Sequence, residues 1–166
     1  NFGGTSLGTV ERIASVAKIV KEASQSANVI VVVSAMSGET NRLIKLAKSF
    51  GDDPSKREFD ALISTGEKVS AALLAMALHQ IDVKAKSYTA SQISMKTTNS
   101  YSKARILEVD GKKIQDALDE GIVPIITGFQ GITESGDVTT LGRGGSDTTA
   151  VAIAAQMKEE RCDIYT

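Results

Sequence analysis

The segment Thr139-Thr140-Leu141-Gly142-Arg143-Gly144-Gly145-Ser146-Asp147-Thr148-Thr149 is followed by an apolar run from Ala150 to Ala155. Three glycines in four positions remove the Cβ atoms that would keep a ligand away from the backbone, and Ser146 or Asp147 stands where a helix N-cap is expected. Backbone N–H groups and the positive end of a helix would then point into one small space, which suits an anion. The segment therefore predicts an anion-binding loop that opens a buried helix. A glycine-rich turn that merely starts such a helix is the alternative.

Two charged residues of this segment indicate different roles. Arg143 adds a planar guanidinium that suits a carboxylate or a phosphate. Asp147 is a carboxylate in a site built for anions, and such a group is costly unless it holds a cation, a lysine or several donors. We interpret Asp147 as a residue that organises the site.

The composition is that of an ordinary globular domain. The chain has 166 residues, of which 42% are hydrophobic, and its net charge is -1. That length suits one domain with a sizeable core. The charges are interspersed and no uninterrupted apolar run reaches the roughly 18 residues of a membrane span, so neither nucleic acid nor a membrane is an expected partner. The single cysteine, Cys162, permits no internal disulfide, and the expected location is the cytoplasm.

Strands and helices alternate on either side of the opening segment. Helices are predicted over 9–25, from Leu43, from about 55 to Gln80 and over 111–120, and strands over 29–33, 83–88, 105–109 and 122–127. This βαβ alternation predicts an α/β fold, a three-layer αβα sandwich with a mainly parallel central sheet. Residues 89–104 are rich in Ser, Thr, Lys and Asn, so we expect a mobile surface excursion there, such as a lid.

Loops rich in glycine and hydroxyl groups follow the predicted strands, and such loops meet at the carboxyl edge of a parallel sheet. They are Gly3–Gly8, Ser34–Asn41, Gly128–Gly131 and the opening segment. Ser64-Thr65-Gly66-Glu67 interrupts a helical region, and glycine inside a helix costs roughly 1 kcal/mol against alanine. A loop or a helix start that carries Glu67 into a site explains this interruption better.

Two common nucleotide-binding patterns do not fit. No Gly-x-x-x-x-Gly-Lys-Ser/Thr sequence occurs. Gly142-x-Gly144 resembles the start of a dinucleotide fingerprint, but Asp147 stands where a third small residue is needed. The only histidine, His79, has no evident partner, and we interpret it as structural.

Five motifs together resemble, in order and spacing, the amino-acid kinase family and, within it, the aspartate kinases. They are Phe2–Ser6, Val33–Met36 continuing to Asn41, Ser64–Glu67, Gly128–Gly131 and Leu141–Thr149. The resemblance covers almost the whole chain. It implies ATP-dependent phosphorylation of the β-carboxylate of L-aspartate to 4-phospho-L-aspartate, the first step toward lysine, threonine and methionine, with Mg²⁺ accompanying ATP.

The resemblance also implies a domain organisation. Residues 1–166 correspond to the substrate lobe of an amino-acid kinase domain and the start of its nucleotide lobe, without the regulatory domains. The chain opens inside a loop signal and closes in the first half of what looks like a strand, so we expect a fragment that is poorly active alone. The parent protein is expected to be a homo-oligomer or to pair with a regulatory subunit.

The predicted reaction can be compared with the residues themselves. A carboxylate nucleophile with a pKa of about 3.9 is already ionised at neutral pH, so the chemistry needs no general base, only positioning and charge neutralisation. Arg143 suits the α-carboxylate of a free amino acid, and Glu67 suits its ammonium group. A blocked substrate such as N-acetylglutamate would leave Glu67 unpaired.

The resemblance assigns further roles residue by residue. The aspartate pocket is expected to contain, besides Glu67 and Arg143, the residues Ser34, Thr40, Phe129 and Ser146. Asp147 is expected to act in catalysis together with Gly3 and Gly4. The expected nucleotide contacts are Gly3, Gly4, Thr5, Ser6, Gly144, Gly145 and Thr166. Ser34 and Thr40 could instead cap a helix after a strand. No metal ligand is assigned, since no cluster forms a dedicated cage.

One position departs from the family pattern. The family has a lysine before Phe-Gly-Gly, whereas this chain has Asn1, which can donate a hydrogen bond but carries no charge. Asn1 is expected to be either an artefact of where the fragment was cut or a change that disarms the site, and a disarmed site favours the alternative of a noncatalytic module that binds an amino acid. A kinase for another small carboxylic amino acid, such as glutamate or N-acetylglutamate, is the other alternative.

Overall fold

The computed structural model describes residues 1–142 and 144–166. Its elements are α1 (Val10–Ser24), β1 (Val31–Val33), α2 (Glu39–Lys48), α3 (Lys56–Ile63), α4 (Thr65–His79), β2 (Ala85–Tyr88), β3 (Lys96–Thr97), β4 (Ile106–Glu108), α5 (Lys112–Asp119), β5 (Val123–Thr127), β6 (Gln130–Ile132), β7 (Val138–Thr140) and α6 (Gly145–Gln156). The predicted helices and strands occur in the predicted order, with shorter strands than the sequence indicates, and β3, β6 and β7 are additional.

A parallel sheet in the order β1-β5-β2 forms the centre of the fold. Phe2 extends it through bridges to Val33 on one side and Tyr165 on the other. Every residue of β1 and β5 is buried, as expected for strands covered on both faces. Pro124, which cannot donate to the sheet, occupies the second position of β5, near the start of the strand, where a proline is tolerated.

Helices cover both faces of this sheet. Val31, Val33 and Ile125 pack in one apolar cluster with α1 and α4. Val32 and Ile126, which point to the opposite face, pack in a second cluster with α5 and α6. Alternate strand residues therefore serve two cores, and the predicted three-layer αβα fold with a mainly parallel sheet is confirmed.

A second sheet, in the order β4-β3-β6-β7, is mostly antiparallel and was not predicted. The expectation of a mobile excursion at 89–104 is wrong, because Ile93 and Met95 are fully buried there and β3 pairs with two strands. A polar side chain of this region also bonds across the second sheet, since the hydroxyl of Thr97 shares a hydrogen bond with that of Thr139 on β7. The predicted loop Gly128–Gly131 is likewise shorter, since its second half is β6.

Helices α3 and α4 meet at Ser64, which ends one and precedes the other, so the prediction that Glu67 lies at a helix start is confirmed. The helical stretch Lys56–His79 is long enough to span a membrane, and an 18-residue window within it has a mean hydropathy of 1.4. Half of that window, however, is buried inside the fold. Its apolar side chains largely serve the core formed with α1 and the sheet. The run Val69–Leu78 is apolar on nearly all sides, which predicts burial, but Val69 and Met76 are exposed.

One expectation, at the end of the chain, needs correction, and the interpretation of His79 is supported. Cys162 was expected in a strand, but it is exposed and lies outside regular structure; near it, Tyr165 forms only an isolated bridge. His79 lies at the exposed end of α4, where its Nε2 is 2.8 Å from the carbonyl oxygen of Ala85. This contact supports the structural interpretation of His79.

The central strand provides a direct test of the core. Ile125→Ala removes a fully buried side chain from the apolar cluster between the parallel sheet and helices α1 and α4. We expect it to lower the free energy of unfolding by about 3 kcal/mol, because the surrounding layers cannot close the cavity. Urea denaturation measures this loss. Val151→Ala, at a position 57% exposed on α6, is the control and should change stability by less than about 0.5 kcal/mol.

Candidate functional site

A cavity of about 470 Å³ lies at the carboxyl edge of the parallel sheet. Its walls are the loops that follow Phe2, β1 and β5, the loop before α6, the start of α4 and the last residues of the chain. These elements converge because parallel strands end at one edge, as the sequence predicts. The loop before α6 differs from the other loops, because it follows β7 of the second sheet and not a strand of the parallel sheet.

Most of the predicted site residues line this cavity. They are Gly3, Gly4, Thr5, Ser34, Thr40, Glu67, Phe129, Gly144, Gly145, Ser146, Asp147 and Thr166. Ser6 is not among the lining residues, but its hydroxyl donates to the carbonyl oxygen of Thr166 at 3.2 Å. Arg143 lies outside the described residues, so its predicted pairing with a substrate carboxylate stays a prediction.

Glu67 is the buried charge of the site, with 3% of its surface exposed. Its Oε1 accepts a hydrogen bond from the backbone N–H of Ala35 at 3.1 Å, whereas Oε2 has no partner among the described residues. Burial raises the pKa of this carboxyl to about 7, and the backbone hydrogen bonds offset only part of that rise. The site thus holds a carboxylate that is poorly stabilised until a donor reaches Oε2.

The loop before α6 has a different cap from the one predicted. Gly144 is the N-cap and takes a left-handed conformation with φ 69°, which glycine adopts without strain. Ser146 and Asp147 therefore lie in the first turn of α6 and do not cap it. Both still line the cavity, and the positive end of the helix faces the same space.

The glycine N–H groups are not equally available. The N–H of Gly3 donates to the carbonyl oxygen of Tyr165 at 2.9 Å, and that of Gly145 to the carbonyl oxygen of Gly142 at 3.2 Å. Both N–H groups are thus engaged within the protein in this conformation, and their predicted contacts with a ligand stay predictions. The N–H of Gly4 has no partner among the described residues and remains the better donor.

Phe129 forms a strained wall of the cavity. Its φ of 72° is left-handed, which costs a residue with a side chain about 1 to 3 kcal/mol. The aromatic ring occupies the space beside Gly145, where an added Cβ would lie 2.5 Å from Phe129 Cδ2. Gly145 therefore makes room for Phe129, and not only for a ligand.

Asp147, which lines the cavity, contacts Asn1, which does not line it. Asn1 Nδ2 donates a hydrogen bond to Asp147 Oδ1. Asn1 Oδ1 is buried and has no partner within the described part of the chain. Asn1 thus faces a carboxylate, and within the described residues only the donor end of its side-chain amide has a hydrogen-bond partner.

Two buried polar residues that the sequence did not single out brace the site. Asp60 is fully buried and accepts hydrogen bonds from the N–H and hydroxyl groups of Ser102 and Thr140, at 2.8 to 3.0 Å. Gln130 Nε2 donates to the carbonyl oxygen of Ser64 at 2.9 Å, at the junction of α3 and α4. Asp60 thus ties α3 to β7, and Gln130 ties to β6 the junction from which the helix that carries Glu67 begins. The sequence signal that could have revealed these two residues is a carboxylate or an amide within an otherwise apolar pattern.

Comparisons with known proteins agree with this architecture. A model of the amino acid kinase family matches residues 1–166. The aspartokinase of Geobacillus stearothermophilus is 54% identical over 166 residues, which are 99% of this chain and 41% of that protein. The chain spans about 40% of the length of the curated relatives that it matches.

Solved structures show the same fold. The crystal structure of aspartate kinase from Synechocystis has a TM-score of 0.83 at 47% identity, covering 99% of this chain and 27% of that chain. The structure of E. coli aspartokinase III in complex with aspartate and ADP has a TM-score of 0.90 at 27% identity, covering 99% and 48%.

The raised pKa of Glu67 predicts a pH dependence of stability. The folded state holds this proton more tightly than the unfolded chain, so burial of Glu67 lowers stability as the pH rises from 4.5 through about 7. Glu67→Gln removes that loss. Without ligand, the variant should be more stable than the parent by up to about 3 kcal/mol at pH 8, with little difference near pH 4.5.

Thermal and urea unfolding at both pH values measure the difference. Glu22→Gln, at an exposed position of α1, is the matched control and should show no such dependence. A stability difference between Glu67→Gln and the parent that stays constant with pH would contradict the burial argument.

Proposed function

The chain belongs to the amino-acid kinase family, and from that premise we propose that the protein containing it transfers a phosphoryl group from ATP to the β-carboxylate of L-aspartate. The observation that carries the proposal is the buried carboxylate of Glu67 in the cavity wall. Its Oε2 has no hydrogen-bond partner among the described residues. An α-ammonium group supplies both the missing donor and the missing charge. The substrate is thus a free amino acid.

The unpaired oxygen also separates candidate substrates. An acetylated amino acid offers one neutral N–H in place of an ammonium, which would leave Glu67 without a countercharge in a buried site. Glutamate keeps the ammonium and differs from aspartate by one methylene, worth about 1 to 3 kcal/mol in a fitted pocket. The names of the similar proteins, aspartokinase and aspartate kinase, favour aspartate.

ATP is proposed to bind on the side of the cavity formed by Gly3, Gly4, Thr5, Gly144, Gly145 and Thr166, with Ser6 bonded to Thr166 behind this wall. The N–H of Gly4 and the positive end of α6 are suited to phosphate oxygens. The ADP bound to E. coli aspartokinase III supports this part of the proposal. Mg²⁺ would arrive with the phosphates of ATP. The described part of the chain has no group of three or more metal-ligating side chains, so we assign no protein ligand to it.

The proposed reaction needs positioning and no base. A β-carboxylate oxygen of aspartate forms a bond to the γ-phosphorus, the bond from that phosphorus to the bridging oxygen breaks, and ADP leaves with the electron pair. Glu67 and Arg143 fix the two ends of the amino-acid backbone, with Ser34, Thr40, Phe129 and Ser146 as the surrounding walls. Asp147 orients the groups beside the transferring phosphoryl.

The wider organisation stays a proposal as well. Residues 1–166 form the substrate lobe and the start of the nucleotide lobe, and the remaining contacts to adenine and ribose come from elsewhere in the protein. We place the enzyme in the cytoplasm, at the first step toward lysine, threonine and methionine, as a homo-oligomer or with a regulatory subunit.

The substrate assignment is tested with the natural full-length protein that contains this chain. ATP-dependent phosphorylation should be fastest with L-aspartate, weaker with L-glutamate and absent with N-acetyl-L-glutamate. Glu67→Gln should lower kcat/KM for aspartate by about 100-fold or more, because it removes a buried charge partner of the ammonium. Hydroxylamine trapping of the acyl phosphate measures the product. Equal rates with free and acetylated amino acids would overturn the assignment.

Asn1 supports a second candidate function, a module that binds an amino acid without turnover. Its amide supplies no positive charge near the transferring phosphoryl, and its buried oxygen has no partner within the described residues. Such a module would bind aspartate in calorimetry and form no acyl phosphate.

Replacing Asn1 separates the two candidates. A lysine side chain is only a hydrogen-bond donor, so Asn1→Lys would remove the unpaired side-chain oxygen of Asn1. Its ammonium group would form an ion pair with the carboxylate of Asp147. In an active kinase we expect kcat to rise by about 10-fold or more, since the added charge acts where the transition state is anionic. Asn1→Gln, which keeps the amide, is the control. If neither variant turns over aspartate but both bind it, the noncatalytic module is the better description.

A further inference from the structure

Three contacts hold Phe129 in its left-handed conformation. Its ring lies in the space left by the missing side chain of Gly145, and its carbonyl oxygen accepts from the N–H of Leu141 at 2.9 Å. Its N–H donates to Thr149 Oγ1 at 3.1 Å. A strained residue persists only where its surroundings determine it in this way.

Thr149 makes a side-chain hydrogen bond that joins two walls of the cavity, in addition to the packing of Phe129 beside Gly145. It is fully buried on α6 and does not line the cavity itself. Its hydroxyl donates to the carbonyl oxygen of Gly145 at 2.9 Å while accepting from Phe129. One oxygen atom therefore links the exit of β5 to the first turn of α6.

We propose that Thr149 is a positioning residue of the aspartate site, acting through the backbone of Phe129. Its hydroxyl fixes the distance between the wall formed by Phe129 and the helix start that carries Ser146 and Asp147. This inference rests on the proposed function, because Phe129 and Ser146 are taken as walls of the aspartate pocket. The sequence pattern shows Thr149 only as part of the glycine-rich motif and gives it no role.

The adjacent threonine offers a matched control. Thr148 Oγ1 donates to the carbonyl oxygen of Gly144 at 3.1 Å, which is the same hydrogen bond along the helix that Thr149 makes to Gly145. Thr148 is exposed and forms no bond to the β5 exit in the described structure. A change at Thr148 thus removes the helical bond without removing a link between the walls.

The test uses Thr149→Val, Thr149→Ser and Thr148→Val in the natural full-length protein. Valine keeps the shape of threonine and loses the hydroxyl, whereas serine keeps the hydroxyl. We expect Thr149→Val to lower kcat/KM for aspartate by about 10-fold, mostly through KM for aspartate with KM for ATP less affected. Thr149→Ser and Thr148→Val should stay within about twofold of the parent.

A double substitution separates positioning from a general loss of stability. Glycine adopts the left-handed conformation without strain, so Phe129→Gly removes the need for Thr149 to hold residue 129. In that background Thr149→Val should change KM for aspartate much less than it does in the parent, a failure of additivity. Additive effects, or equal effects of the Thr148 and Thr149 changes, would overturn the proposal.

The outcomes also distinguish this inference from the function on which it rests. If the parent protein does not phosphorylate aspartate, the proposed function fails. If the parent is active and Thr149→Val behaves like the parent, the proposed function stands and the role of Thr149 is wrong. Melting temperatures of all variants, measured alongside, show whether each protein is folded at the assay temperature.

Discussion

Glu67 carries a carboxylate that the fold removes from water and leaves half-satisfied among the residues described. One oxygen has the N–H of Ala35 and the other has no partner, so the charged form is costly and its pKa rises to about 7. A buried acid without a countercharge destabilises a protein, and it persists where a ligand completes it. The remaining features of the site can be understood as the means by which this group is held in place.

Several buried polar contacts hold the walls around that group. Asp60 ties α3 to β7, and Gln130 ties the junction of α3 and α4 to β6. Thr149 ties the β5 exit to α6. Each of these contacts gives buried polar groups the hydrogen bonds that offset their loss of hydration. Each also connects segments that are separated in the sequence. The cavity is therefore built by long-range polar contacts upon a local apolar framework.

The sequence predicts the apolar framework well, because β-branched runs such as Val29–Val33 and helical spacings are local patterns. It also predicts Glu67 at a helix start, since Gly66 is unfavourable inside a helix. It does not predict the second sheet, because strands as short and polar as β3 are stable only through pairing with distant segments. Asp60 escapes notice for the same reason: its partners lie 42 and 80 residues away. Arg143 and its role remain a prediction.

The central claim is that the ammonium group of a free amino acid completes Glu67. Calorimetric titration of L-aspartate at pH 7, in two buffers with different ionisation enthalpies, measures the protons exchanged on binding. At that pH Glu67 is partly protonated, and an arriving ammonium would force it to ionise. The account predicts release of about half a proton per aspartate bound, and none with Glu67→Gln. Binding of aspartate without proton release in the parent protein would contradict it.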